Sequence, residues 1–151
     1  MIEIDFTQYQ NELRISRRND ETRIYDPIRR KHIILQPEEW VRQLTLQYLL
    51  KEKRYKVRQI RVEFGLKVHD LQKRCDILIY DQNIQPFLLV ECKSIHIPLD
   101  QAVFDQIARY NIALQVPFLM VTNGIATFGC QIDYQQKNYQ FLSEIPCYDG
   151  K

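Results

Sequence analysis

Apolar positions along this chain follow two periods in turn. Pro37 opens the first helical stretch. Proline is favoured at the first helical position, and Glu38 and Glu39 suit the first turn. Within Glu38–Lys53, the residues Trp40, Val41, Leu44 and Tyr48 fall on one stripe at helical spacing. Ile60–Leu66 reads as a strand and Lys67–Arg74 as a polar loop. Asp76–Tyr80 and Phe87–Lys93 read as antiparallel strands joined by a turn around Asp81–Pro86. Leu88-Leu89-Val90 is apolar on both faces, the mark of a central strand covered on both sides. A second helix starts at Leu99 or Asp100 and runs to about Gln115, with Val103, Ile107, Tyr110 and Leu114 as its buried stripe. Pro117–Val121 is another apolar strand. Asn123-Gly124 signals a tight turn into Ile125–Ile132, and Tyr139–Leu142 suits an edge strand.

Before residue 37 the pattern is one of short β pieces, with Thr22–Tyr25 and Lys31–Leu35 pairing across the Asp26-Pro27 turn. The strand–helix–strand unit at 87–121 requires a parallel crossover. Together these elements predict a three-layer α/β domain, a mixed sheet with helices on both faces. No repeat or Gly/Ser-rich linker interrupts it, so residues 1–151 are expected to form one domain.

Composition narrows the function. The chain is 45% hydrophobic and 26% charged, which excludes a disordered or fibrous protein. No apolar run is long enough to cross a bilayer, and the acidic start Met1-Ile2-Glu3-Ile4-Asp5 is unlike a signal peptide. With four glycines and no G-x-x-x-x-G-K-[ST], the chain holds no phosphate loop and is not a motor by itself. Cys75, Cys92, Cys130 and Cys147 form no C-x-x-C pair. They are expected to be reduced thiols in a cytoplasmic protein, with Cys75 and Cys92 buried in strands. His32, His69 and His96 show no metal spacing, and no G-x-S-x-G elbow exists for a hydrolase triad.

Charge is unevenly spread. Residues 1–74 hold 17 Lys and Arg against 11 Asp and Glu, a net +6. Residues 75–151 hold 4 against 8, a net −4. The basic clusters are Arg17-Arg18, Arg29-Arg30-Lys31 and Lys51–Arg61. Such a split suits solvated surface, or a footprint for a phosphate backbone whose binding weakens with salt.

The chemistry centres on Glu91-Cys92-Lys93. Alternation sends Glu91 and Lys93 from one face of the strand and Cys92 from the other. A Glu–Lys ion pair at a strand exit explains two of these charges. Asp76 changes that reading, because antiparallel pairing brings the start of its strand beside the end of the next. Two adjacent carboxylates repel unless a cation lies between them. A hard divalent ion such as Mg²⁺, or Mn²⁺ in its place, takes one or two carboxylates, a backbone carbonyl and waters. Asp76, Glu91 and the carbonyl of Cys92 are the expected ligands, with Lys93 beside the reacting water and phosphorus. Gln106 and Tyr110, four residues apart, share a helix face and suit a supporting role. Glu39, Arg42 and Gln43 lie off the Trp40–Val41 side, either exposed or, for Glu39, as a supporting carboxylate. Glu63 is a further candidate.

Asp76, Glu91-x-Lys93 and Gln106-x-x-x-Tyr110 in this order resemble the PD-(D/E)xK nuclease superfamily and its Q-x-x-x-Y subgroup. Five stretches resemble the N-terminal nuclease domain of type I restriction-enzyme R subunits over about residues 22–145. They are Pro37-Glu-Glu-Trp-Val-Arg-Gln43, Arg74-Cys-Asp-Ile-Leu-Ile79, Leu89-Val-Glu-Cys-Lys93, Phe104-Asp-Gln-Ile-Ala-Arg-Tyr-Asn111 and Val121-Thr-Asn-Gly124. The resemblance implies a restriction-endonuclease-like fold and Mg²⁺-dependent DNA cleavage. Asp76 and Glu91 then correspond to metal ligands, Lys93 to the catalytic lysine, and Gln106 and Tyr110 to the supporting motif. Cys75 stands where the motif's proline would be. R subunits carry a helicase motor beyond this domain, and this chain ends at Lys151. The expected roles are a free-standing nuclease, a component acting with other restriction-modification or helicase subunits or in another system, or a relative whose present role has drifted. The alternative from another class is a non-catalytic nucleic-acid-binding or assembly module on the same fold.

Overall fold

A computed structural model describes residues 1–148. Nine strands and two α-helices follow one another. Strands β1 (Ile15–Arg18), β2 (Glu21–Asp26) and β3 (Lys31–Ile34) form a small antiparallel sheet. Helix α1 (Pro37–Lys51) leads to β4 (Ile60–Val68), β5 (Leu71–Tyr80) and β6 (Pro86–Cys92). Helix α2 (Gln101–Asn111) precedes β7 (Phe118–Thr122), β8 (Thr127–Asp133) and β9 (Asn138–Phe141). These last six strands form one sheet in sequence order, antiparallel except for the parallel β6–β7 pair that α2 connects. The mixed α/β sheet expected from the pattern is the one observed.

The sheet has two apolar faces. Ile77, Ile79, Leu88, Val90 and Met120 pack on the α1 side, with Val41, Leu44 and Tyr48. Leu78, Leu89, Leu119 and Val121 pack on the α2 side, with Phe104 and Ala108. Each fully buried aliphatic side chain contributes about 1.5–3 kcal/mol relative to exposure, so these central strands supply much of the stability. Among the described residues, no helix is long and apolar enough to cross a membrane.

Several expectations need correction. Residues 6–12 form a 3-10 helix rather than a β piece, capped by Asp5 and packed through Phe6 and Tyr9 against Tyr48. The stretch Lys67–Arg74 is not a loop. It is the far half of the β4–β5 hairpin, paired down to Val68 and Leu71, with His69 in the left-handed region. Lys67, His69, Asp70, Gln72 and Arg74 are exposed, whereas Lys73 is partly buried and Leu66 and Cys75 face the core. Helix α2 ends at Asn111 and a 3-10 turn carries the chain to Leu114. Its buried face is Phe104, Ala108 and Asn111; Val103 and Ile107 flank it, and Tyr110 is 54% exposed.

The start of α2 rests on one exposed bond. The Asp100 carboxylate accepts from the Val103 backbone N–H at 2.9 Å. Asp100→Ala is expected to cost about 1 kcal/mol, read as a lower urea midpoint with an unchanged slope. No change in the midpoint would show that packing of Phe104 alone holds the helix end.

Candidate active site

The site forms where the β5–β6 pairing runs out. Ile77 pairs with Val90, so the next residues outward are Asp76 and Glu91. Antiparallel pairing thus brings both residues to the same end of the sheet, near enough that Glu91 raises the Asp76 pKa. At the same point the alternation of β5 reverses. Ile77 and Ile79 face α1, whereas Cys75 belongs to the α2-side core. Glu63 sits in the neighbouring strand between Val62, paired with Ile77, and Phe64, paired with Cys75. Its φ of 54° marks a break in β4 at the same level. The backbone irregularity and the charged residues therefore coincide.

Asp76 faces two donors. Its Oδ2 accepts from the Cys92 backbone N–H at 2.7 Å, and its Oδ1 from Arg42 Nη2 at 3.2 Å. A strand residue's N–H and C=O leave on the same edge, so the Cys92 carbonyl also leaves on the Asp76 side. Burial raises the Asp76 pKa. The Cys92 N–H and Arg42 lower it, Glu91 and Glu63 raise it further, and the net direction is upward.

Glu91 is held by two ammonium groups. Lys93 Nζ lies 3.0 Å from Oε1 and Lys73 Nζ 3.0 Å from Oε2. Burial would raise the Glu91 pKa, but Lys73 and Lys93 outweigh it and the net direction is downward. Lys93 is a third exposed at its side chain; burial lowers its pKa, and Glu91, Asp76 and Glu38 raise it to a net increase. Strand alternation put Lys93 beside Glu91, and the structure does so as well.

Arg42 is the hub on the α1 side. Only 4% exposed, its guanidinium reaches Glu39 at 2.9 Å, Glu63 at 2.7 Å, Asp76 at 3.2 Å and Glu38 at 3.6 Å. Surface exposure of Glu39, Arg42 and Gln43 is therefore corrected: all three are buried. The small sheet covers them. Arg29 Nη2 lies 3.0 Å from Glu39, and the Gln43 amide donates to both Glu39 and Asp26. Asp26, fully buried, also accepts from Ile28 N–H, Arg29 N–H and Arg29 Nε. Glu39 thus reaches Asp76 only through Arg42. The first-helix carboxylate nearer the cluster is Glu38, whose pKa burial and Asp76 raise, against the pull of Arg42 and Lys93.

The supporting helix residues are placed differently from one another. Gln106 is exposed on α2, and among the described residues no hydrogen bond ties it to Asp76, Glu91 or Lys93. Tyr110 reaches the cluster indirectly, its ring centroid 4.9 Å from Lys73 Nζ. Asn111 Oδ1 accepts from the same ammonium at 3.3 Å. Lys73 and Asn111 were missed by sequence reasoning. Lys73 becomes visible once Leu71, Lys73 and Cys75 are read as alternate residues of one strand face.

Asp76, Glu91 and the Cys92 carbonyl are the residues that could hold a hard divalent ion. Two adjacent carboxylates repel each other, and a backbone carbonyl leaves on their side. Magnesium asks for no more protein ligands than this. Among the described residues, no group of three or more His, Cys, Asp or Glu side chains gathers as a metal cluster. All four cysteines are free thiols, with Cys75, Cys92 and Cys130 buried.

Comparison with known proteins places this architecture. The model of the type I restriction enzyme R protein N terminus matches residues 37–146. Among solved structures, one described as a fragment of an HsdR subunit of a type I restriction enzyme from Vibrio vulnificus is similar. It is 24% identical, with a TM-score of 0.48, over 70% of this chain and 22% of that chain. This chain therefore spans less than a quarter of that one. No curated protein matches. The family match covers well over half the chain and includes α1, the six-stranded sheet and every charged residue at its end; the chain belongs to the family of type I restriction enzyme R protein N termini.

Proposed function

We propose that this chain is a Mg²⁺-dependent nuclease domain that hydrolyses phosphodiester bonds of DNA at the Asp76–Glu91–Lys93 cluster. The observation that carries this reading is the placement of Asp76 beside Glu91 at the end of the β5–β6 pairing, with Lys93 on Glu91. Asp76, Glu91 and the Cys92 carbonyl would hold Mg²⁺ or Mn²⁺, which supplies Lewis-acid polarisation of the scissile phosphate. Arg42 and the Cys92 N–H fix the Asp76 carboxylate, so little reorganisation is needed on binding. Lys93, only partly buried, presents its ammonium to charge that develops on the phosphoryl oxygens. The basic first half offers phosphate contacts to DNA. As a nuclease domain of this family, the chain acts in the cytoplasm with restriction-modification or helicase subunits.

Metal binding is the direct test. Titration calorimetry with Mn²⁺ is expected to give one site in the wild type and none in the Asp76→Ala/Glu91→Ala double mutant. Equal affinity in both would remove the carboxylate pair from metal binding. In the same preparations, nicking of supercoiled plasmid should depend on added Mg²⁺ or Mn²⁺. A folded protein that binds DNA without nicking it under any metal would instead be a binding module.

A further inference from the structure

Glu91 carries one negative charge and is met by two ammonium groups. Lys93 alone would balance it. Lys73 is therefore in excess at this carboxylate, and its placement is specific. Its stem leaves β5 on the face shared with Leu71 and Cys75, towards α2. Its ammonium has two further partners, the Asn111 Oδ1 at 3.3 Å and the Tyr110 ring at 4.9 Å. Asn111 is itself fixed: it is 1% exposed and its amide donates to the Ile107 carbonyl at 2.8 Å. Lys73 thus keeps an amide oxygen and an aromatic face if it gives up Glu91.

We propose that Lys73 is a resident counter-cation of the site, occupying Glu91 in the metal-free protein and competing with the divalent ion for it. The proposal rests on the reading of Asp76 and Glu91 as metal ligands. A fixed positive charge next to a cation site weakens binding, because like charges repel and because affinity follows the net charge of the ligand set. A merely structural Lys73–Glu91 bridge predicts the opposite: loss of the lysine would loosen Glu91 and leave metal affinity unchanged or lower.

Mn²⁺ titration calorimetry without nucleic acid separates the two. Lys73→Met is expected to bind Mn²⁺ about tenfold more tightly than the wild type. Lys73→Arg, which keeps the charge, should stay near wild type. Lys73→Gln removes the charge but keeps a polar end, so it must tighten binding as Lys73→Met does; it decides the matter if Lys73→Met fails to fold. Unchanged or weaker affinity in a folded neutral variant overturns the proposal. The metal-site reading survives that result if wild-type binding is lost in the Asp76→Ala/Glu91→Ala protein. Binding by Lys73→Met where the wild type shows none supports the proposal. Absence of binding in the wild type and in every Lys73 variant overturns both.

Discussion

Lys93→Ala is expected to slow plasmid nicking by about 10²-fold or more while leaving the melting temperature nearly unchanged. The rate loss is the typical size for removing one pre-positioned electrostatic group that acts on transition-state charge. The small stability effect follows from the geometry. Lys93 is one residue past β6 and only partly buried, so its stem packs little core. When it is removed, Glu91 is not stranded, because Lys73 still stands 3.0 Å from its other oxygen. Partly exposed ion pairs contribute about 0–1 kcal/mol. An unchanged nicking rate in a folded Lys93→Ala protein would remove the lysine from the mechanism.

Arg42→Met should do the reverse and damage the fold before the chemistry. Arg42 is 4% exposed and lies within salt-bridge distance of four carboxylates. Removing one partner of a buried charge network leaves uncompensated charge and costs about 3–5 kcal/mol. In a chain of this length each kcal/mol shifts the melting temperature by about 2–4 °C. A loss of about 10 °C is therefore expected, measured by thermal unfolding at neutral pH. Among the described residues its Nε has no hydrogen-bond partner, so the guanidinium is already imperfectly satisfied. A shift under 2 °C would show that these carboxylates find water when the arginine leaves.

The sequence made the hairpin geometry of the site legible. Period-two alternation with a recognisable turn places Asp76 opposite Glu91 and sends Lys93 to the same side. Proline at the first helical position marks the start of α1 at Pro37, and the second helix, expected from Leu99 or Asp100, begins at Gln101. Three features were not legible. The β4–β5 hairpin turns at His69-Asp70 without the glycine that usually marks such a turn, so its far half read as a loop and Lys73 was lost with it. Helix α1 shows one apolar stripe, yet its polar side is buried too, because Arg29 and Asp26 supply partners to Glu39 and Gln43 from outside the helix. Tyr110 fits helical spacing for the core, but α2 stops one residue later, at Asn111. Only for α1 did partners distant in sequence decide the outcome.

The small sheet's grip on α1 bears on where this unit can be cut. The stretch matching the family begins at residue 37, but Asp26 and Arg29 lie upstream and hold Gln43 and Glu39 from there. A chain trimmed to the matching stretch would keep Asp76, Glu91 and Lys93 with their partners Arg42 and Lys73. It would also strip the cover from Glu39, which Arg42 links to Asp76, and from Gln43 beside it. The border set by likeness and the border set by physics thus differ. Any fusion or graft of this module should carry the β2–β3 turn along with it.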